Sequence, residues 1–217
     1  FDGAMSHANV YINGQKVGYW PYGYNSFHFD ITKYLKPGQK NTLAVRLENL
    51  PESSRWYPGA GLYRNVHLIV TEDAYIPVWG TYITTPSVNE KFAKVNVRTK
   101  VVLPEGADPA KYSVETSVWN PNKQKLTAVR TSLAQMKYNN DQAEQEFIIQ
   151  EPSLWSPEMP ALYSAETRLY EGDKLKDIYT TPFGIRSIEI IPDKGFFLNG
   201  KRTVFKGVCN HHDLGPL

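Results

Sequence analysis

The chain has 217 residues, and its 24 Lys plus Arg against 22 Asp plus Glu give a formal net charge of +2. No block of like charges occurs, which excludes the clustered basic surface that nucleic-acid binding needs. No apolar run is long enough to span a bilayer, and the single Cys209 excludes an internal disulfide, while an aromatic content of 13% favours β structure.

At this length two domains are expected. Residues 1–73 read as short strands separated by turns. Residues 9–12 and 15–19 flank Asn13-Gly14, a pair whose members both tolerate the positive φ of a tight hairpin. Residues 26–29 alternate, Asp30 caps a short turn, Lys36-Pro37-Gly38 breaks the chain, and residues 42–48 form the next strand. Pro58, Gly59 and Gly61 keep regular structure out of the loop that carries Arg55-Trp56-Tyr57. Residues 62–70 read as a closing strand. No stretch holds a long helical period, so this part is antiparallel β.

A boundary follows at Thr71-Glu72-Asp73-Ala74. Across 74–188, strands are expected at 81–85, 93–103, 112–119, 126–134, 144–150, 162–170 and 177–183. Seven alternating strands in roughly 110 residues match an immunoglobulin-like sandwich. The proline-fixed run 152–163 is a crossing between strands. In 189–217, Asn199-Gly200 sits between apolar runs as a second tight hairpin. An apolar strand follows at 203–208, then Cys209, expected as a small core residue, and His211-His212-Asp213.

Several stretches together carry a resemblance. Val10-Tyr11-Ile12-Asn13-Gly14, Val17-Gly18, Gly23-Tyr24 with Phe27, Phe29-Asp30-Ile31-Thr32, and Ser54-Arg55-Trp56-Tyr57-Pro58-Gly59-Ala60-Gly61-Leu62-Tyr63-Arg64-Asn65-Val66 are similar to the second half of the jelly roll that opens family 2 glycoside hydrolases. Pro152-Ser153-Leu154-Trp155-Ser156-Pro157 resembles the middle-domain signature of that family. Phe196-Phe197-Leu198-Asn199-Gly200-Lys201 with Gly207-Val208 resembles the approach to its catalytic barrel. The family comprises β-galactosidases, β-glucuronidases and β-mannosidases, and the Arg-Trp-Tyr-Pro-Gly-Ala-Gly and His-His-Asp forms look most like bacterial β-galactosidases. The fold this implies is all-β: a partial jelly-roll sandwich (1–73), an immunoglobulin-like β-sandwich (74–188), and the opening hairpin and first strand of a truncated (β/α)8 TIM barrel (189–217). First jelly-roll strands would then be absent, and uncovered apolar faces and strand edges lead us to expect self-association or an altered N-terminal region.

Site residues follow from chemistry and resemblance together. Arginine offers a fork of donors and tryptophan a flat apolar face, which suit sugar hydroxyls and a pyranose ring. The resemblance implies that Arg55, with Trp56 beside it, reaches a terminal galactoside at the barrel mouth of the intact protein. The alternatives are an ion pair of Arg55 with Glu52 and an interdomain packing role for Trp56. His211, His212 and Asp213 follow the first barrel strand, at the end where such barrels build their sites. The resemblance implies that His211 faces the sugar, His212 being one register away. A metal reading of His-His-Asp is disfavoured because adjacent residues of an extended strand point to opposite faces. Arg64 is expected in an internal polar network. No cofactor, metal, nucleic acid or membrane is expected.

Retaining glycosidases need two carboxyl groups roughly 5 Å apart. In the family the acid/base follows an asparagine on a later barrel strand. The only Asn-Glu pair here is Asn89-Glu90, in the polar loop 86–91 of the sandwich. This chain alone is therefore expected to be the non-catalytic portion of a retaining glycosidase, with no catalytic residue of its own. The alternative, from a different class, is a carbohydrate-binding or adhesion module built from two β-sandwiches.

Overall fold

A computed structural model describes residues 1–51, 59–135 and 142–209. The chain forms two compact units, Phe1–Val70 and Thr71–Leu217. In the first unit, β1 (Ala8–Ile12) is the centre of an antiparallel sheet of order β2-β1-β3, with β2 at Gln15–Trp20 and β3 at Leu43–Arg46. Strand period puts Ala8, Val10 and Ile12 on one face, and all three are buried. Asn13 and Gly14 take φ of 52° and 82°, as the hairpin requires. The core is aromatic: Phe27 stacks on Phe1 at 4.8 Å and on Trp20 at 5.7 Å.

Two expected strands of this unit do not form. Phe27 is buried, but residues 26–29 form no strand: Phe27 N–H bonds Phe1 O at 3.0 Å, the terminal amine bonds Phe27 O at 3.1 Å, and Ser26 Oγ donates to Asp2 O at 3.2 Å. Residues 62–70 alternate as a strand would, yet among the described residues none runs alongside 66–70, and Leu68, Ile69 and Val70 are 73%, 61% and 83% exposed. Alternation sets a side-chain pattern; a strand also needs a neighbour to take its backbone hydrogen bonds.

The second unit begins with a seven-stranded sandwich. One sheet has the order β4-β5-β8, from β4 (Thr81–Val88), β5 (Phe92–Lys100) and β8 (Gln142–Gln150). The other has the order β10-β9-β6-β7, from β6 (Tyr112–Trp119), β7 (Lys125–Ser132), β9 (Tyr163–Glu171) and β10 (Lys174–Phe183). Alternate residues of β5, β6, β8 and β9 face inward, so Val95, Val97, Val118, Phe147, Ile149, Tyr163 and Ala165 pack as one cluster. Buried Gln145 donates from Nε2 to Val129 O at 2.8 Å and Val114 O at 3.1 Å, which ties β8 to the facing sheet. The prolines of the 152–161 crossing leave few donors to satisfy, and Trp155 N–H finds Ile185 O at 2.8 Å. A Cβ on Gly184 would lie 2.9 Å from the Trp155 side chain, so a larger residue there would displace the indole.

A small sheet of order β11-β12-β13 follows, from β11 (Ile188–Ile191), β12 (Gly195–Leu198) and β13 (Lys201–Arg202). Asn199 and Gly200 take φ of 51° and 74° and close its hairpin. After Thr203 N–H bonds Phe196 O at 2.9 Å, ladder pairing stops. The strand expected at 203–208 therefore does not form, for want of a neighbour, and no barrel is present among the described residues. Val204, Phe205 and Val208 are exposed, and Cys209 is exposed rather than part of a core.

Candidate functional site

Arg55 and Trp56 fall in 52–58, and His211, His212 and Asp213 fall in 210–217; both stretches lie outside the described residues. The structure does describe what holds their flanks. On the near side of the Arg55 loop, Glu48 N–H bonds Ser6 O at 2.9 Å and Ser6 Oγ donates to Glu48 O at 3.0 Å. On the far side, Gly61 exchanges both backbone bonds with Met5, at 3.0 and 3.1 Å. Two consecutive residues, Met5 and Ser6, thus grip both ends of the loop. Gly61 has φ of 142°, a conformation open to glycine and strained for other residues. Nothing in the sequence singled out Met5 or Ser6, because the pairings join positions 56 and 42 residues apart.

Beyond the loop, Tyr63 Oη donates to Gly23 O at 2.8 Å, and the Arg64 guanidinium lies 5.1 Å from the Tyr63 ring. Arg64 is exposed, not internal, and bonds Asp2 O at 3.4 Å; the Asp2 carboxylate in turn meets His67 Nε2 at 2.8 Å. The expected polar network exists, but at the surface.

The approach to His211 is held by Asn199. Its N–H bonds Ser187 O at 3.0 Å, its Oδ1 accepts from Ser187 N–H at 3.0 Å, and its Nδ2 donates to Trp155 O at 3.0 Å. The hairpin is thereby fastened to the 152–161 crossing. Between them and the β4–β5 turn lies an open groove of about 530 Å³, with Leu154 and Leu198 on its walls and Glu90, Ser156, Glu158 and Lys201 among its polar groups. The Asn-Glu pair has a structural task here. Asn89 Oδ1 accepts from Lys91 N–H at 2.8 Å and Phe92 N–H at 2.9 Å, so the asparagine shapes the turn that presents Glu90. Among the described residues no group of three His, Cys, Asp or Glu side chains is placed to hold a metal ion.

Two family models match consecutive stretches of the chain: the sugar binding domain of glycosyl hydrolases family 2 over residues 1–72, and glycosyl hydrolases family 2 over residues 75–186. The chain belongs to glycosyl hydrolase family 2. Among family members, a beta-galactosidase of Bacteroides ovatus is 40% identical over 100% of this chain and 26% of its own length. A beta-glucuronidase of Bacteroides fragilis is 35% identical over 98% of this chain and 32% of its own. A family 2 crystal structure from Bacteroides cellulosilyticus superposes with a TM-score of 0.87 at 34% identity, covering 98% of this chain and 27% of that one. A beta-glycosidase from Bacteroides vulgatus gives 0.84 at 32% identity, over 98% of this chain and 26% of that one. The chain thus spans about a quarter to a third of these relatives. It carries the sugar-binding and immunoglobulin-like portion of a family 2 glycosidase.

Proposed function

We propose that this chain is the non-catalytic, carbohydrate-facing portion of a retaining β-galactosidase. The observation that carries the proposal is the pair of adjoining family matches, sugar binding domain then family 2 domain, over nearly the whole chain. Relatives of both kinds are similarly near, a beta-galactosidase at 40% identity and a putative beta-glucuronidase of Formosa agariphila at 38%, so the galactose reading rests on the Arg-Trp-Tyr-Pro-Gly-Ala-Gly and His-His-Asp forms of the sequence. In the whole protein Arg55 donates to hydroxyls of the terminal galactosyl unit, Trp56 covers an apolar face of it, and His211, flanked by His212 and Asp213, donates a hydrogen bond to a ring hydroxyl. The carboxyl pair that cleaves the bond by double displacement comes from elsewhere in the protein. Self-association through the exposed residues 66–70 belongs to the same proposal.

Nitrophenyl β-galactoside and β-glucuronide, given separately to this chain and to the full-length protein, test the reading. The full-length protein is expected to cleave the galactoside faster, and the chain alone to cleave neither. Preference for the glucuronide would overturn the substrate assignment, and turnover by the chain alone would overturn the non-catalytic assignment. Micromolar galactoside binding by the chain, with an inactive full-length protein, would favour a binding module instead.

A further inference from the structure

The sandwich receives the chain along an edge strand, and the receiving contacts come from side chains rather than from a ladder. Strand β10 lies at the edge of its sheet, and its register with β9 slips between Leu175 and Asp177. Lys176 is the extra residue of this bulge, and a bulge re-aims the side chain it carries. Lys176 Nζ lies 2.7 Å from Glu72 Oε2, 2.9 Å from Asp73 Oδ1 and 3.8 Å from Glu171 Oε2, with only 6% of its side chain accessible. Lys174 Nζ reaches the same Glu72 oxygen at 3.6 Å.

The following residues are fastened in step. Asp177 Oδ2 accepts from Ile76 N–H at 2.8 Å, Tyr179 Oη accepts from Trp79 N–H at 3.1 Å, and Thr181 Oγ1 meets Thr81 Oγ1 at 2.6 Å. From the opposite side Tyr75 exchanges both backbone bonds with Val102, at 3.0 and 2.8 Å. Ala74 and Ile76 bury their side chains in the sandwich core. Alternate residues of β10 from Asp177 to Thr181 therefore hold Ile76, Trp79 and Thr81 in turn, and the bulged lysine holds the outermost pair, Glu72 and Asp73.

We propose that residues 72–81 form a side-chain strap buckled at Lys176, which fixes the point where the chain leaves the sandwich at Glu72. Because its bonds to β10 run to side chains, the strap can part from β10 while the β9–β10 ladder stays paired. Glu72 and Asp73 are 49% and 63% exposed, so their release into water leaves no carboxylate buried, whereas the ammonium must be carried out with them or removed.

Amide hydrogen exchange and ¹⁵N relaxation on the full chain test the proposal. In the unmodified protein the amides of Ala74, Tyr75 and Ile76 should be protected, and the rigid segment should begin at Glu72. Lys176→Met keeps the buried stem and removes the charge. It is expected to speed exchange of those three amides about tenfold or more while β6 and β9 amides hold their rates, and to move the start of the rigid segment toward Trp79. The double change Glu72→Gln and Asp73→Asn should do the same without touching β10, and it serves if Lys176→Met fails to fold. Unchanged exchange at 74–76 in the variants that fold would overturn the proposal. So would a rise at β6 and β9 in parallel with 74–76, or free-chain exchange at 74–76 in the unmodified protein.

Discussion

Asn13 and Asn199 each sit at the first corner of a tight turn, and each does more than accept a positive φ. Asn13 Nδ2 reaches Tyr34 O and Asn41 Oδ1, and its Oδ1 takes Thr42 N–H, while Asn199 joins Ser187 to Trp155. Glycine would supply the backbone conformation but none of these bonds. Asn199→Ala should therefore cost about 2–3 kcal/mol, from two lost side-chain bonds and a strained φ, and Asn199→Gly less. Thermal unfolding followed by circular dichroism reads this as a drop of several degrees in the Tm of the second unit, at roughly 2–4 °C per kcal/mol for a domain of that size. Equal stability of Asn199→Ala and the unmodified chain would show the side-chain bonds to be idle. The turns themselves were legible, since Asn-Gly between apolar runs is a local signal. The tethers were not, because Trp155 is distant in sequence and a side-chain amide does not announce its partner.

At the scale of elements, pairing decided what alternation left open. The strands of the sandwich were placed within a few residues by their period, since each has a ladder on at least one side. Residues 26–29, 62–70 and 203–208 carry the same period and no adequate ladder among the described residues. The bulge at Lys176 was equally silent, because one lysine in an alternating strand looks like any other solvated charge. Its chemistry gives a pH dependence. The hydrogen bond from Lys176 holds the carboxyl groups of Glu72 and Asp73 below their ordinary values of 4.5 and 3.8. Their contribution is complete above those values and is lost as pH falls through the depressed ones. The same bonds, to Glu72 first and Asp73 next, raise the Lys176 ammonium above its ordinary 10.5, so its contribution is complete below that and fails only at still higher pH. The strap should stay shut through neutral pH and open only in acid, below the ordinary values of the two carboxyl groups. Exchange of the Tyr75 amide, corrected for its intrinsic rate and compared with β6 amides from pH 6 to pH 3, checks this; protection that does not fall in acid would contradict it. The loop stem offers a second check. Gly61→Val forces a β-branched residue into φ of 142° and should speed exchange of the Met5 and Gly61 amides roughly tenfold or more.

For the whole molecule, the sequence disclosed the family and the all-β architecture, since motifs spread over most of the chain carried both. The stem of the Arg55 loop was not disclosed, since it depends on pairings of Met5 and Ser6 with distant residues. Leu68, Ile69 and Val70 leave apolar surface in water, and the chain is expected to associate through it. Light scattering across a dilution series should give a mass above that of one chain, and Leu68→Lys with Val70→Lys should bring it to the monomer; a monomer in the unmodified chain contradicts this. Met5 and Ser6 have a different consequence. Because the two ends of the Arg55 loop are held by neighbouring residues, the span between them can lengthen, shorten or change sequence while the sheet behind it keeps its register. Each doubling of such a loop costs only about 0.6 kcal/mol in closure entropy. The stem is thus a fixed socket for exchangeable loops, and under the role proposed for Arg55 and Trp56 it is a place where one scaffold can acquire new sugar preferences without refolding.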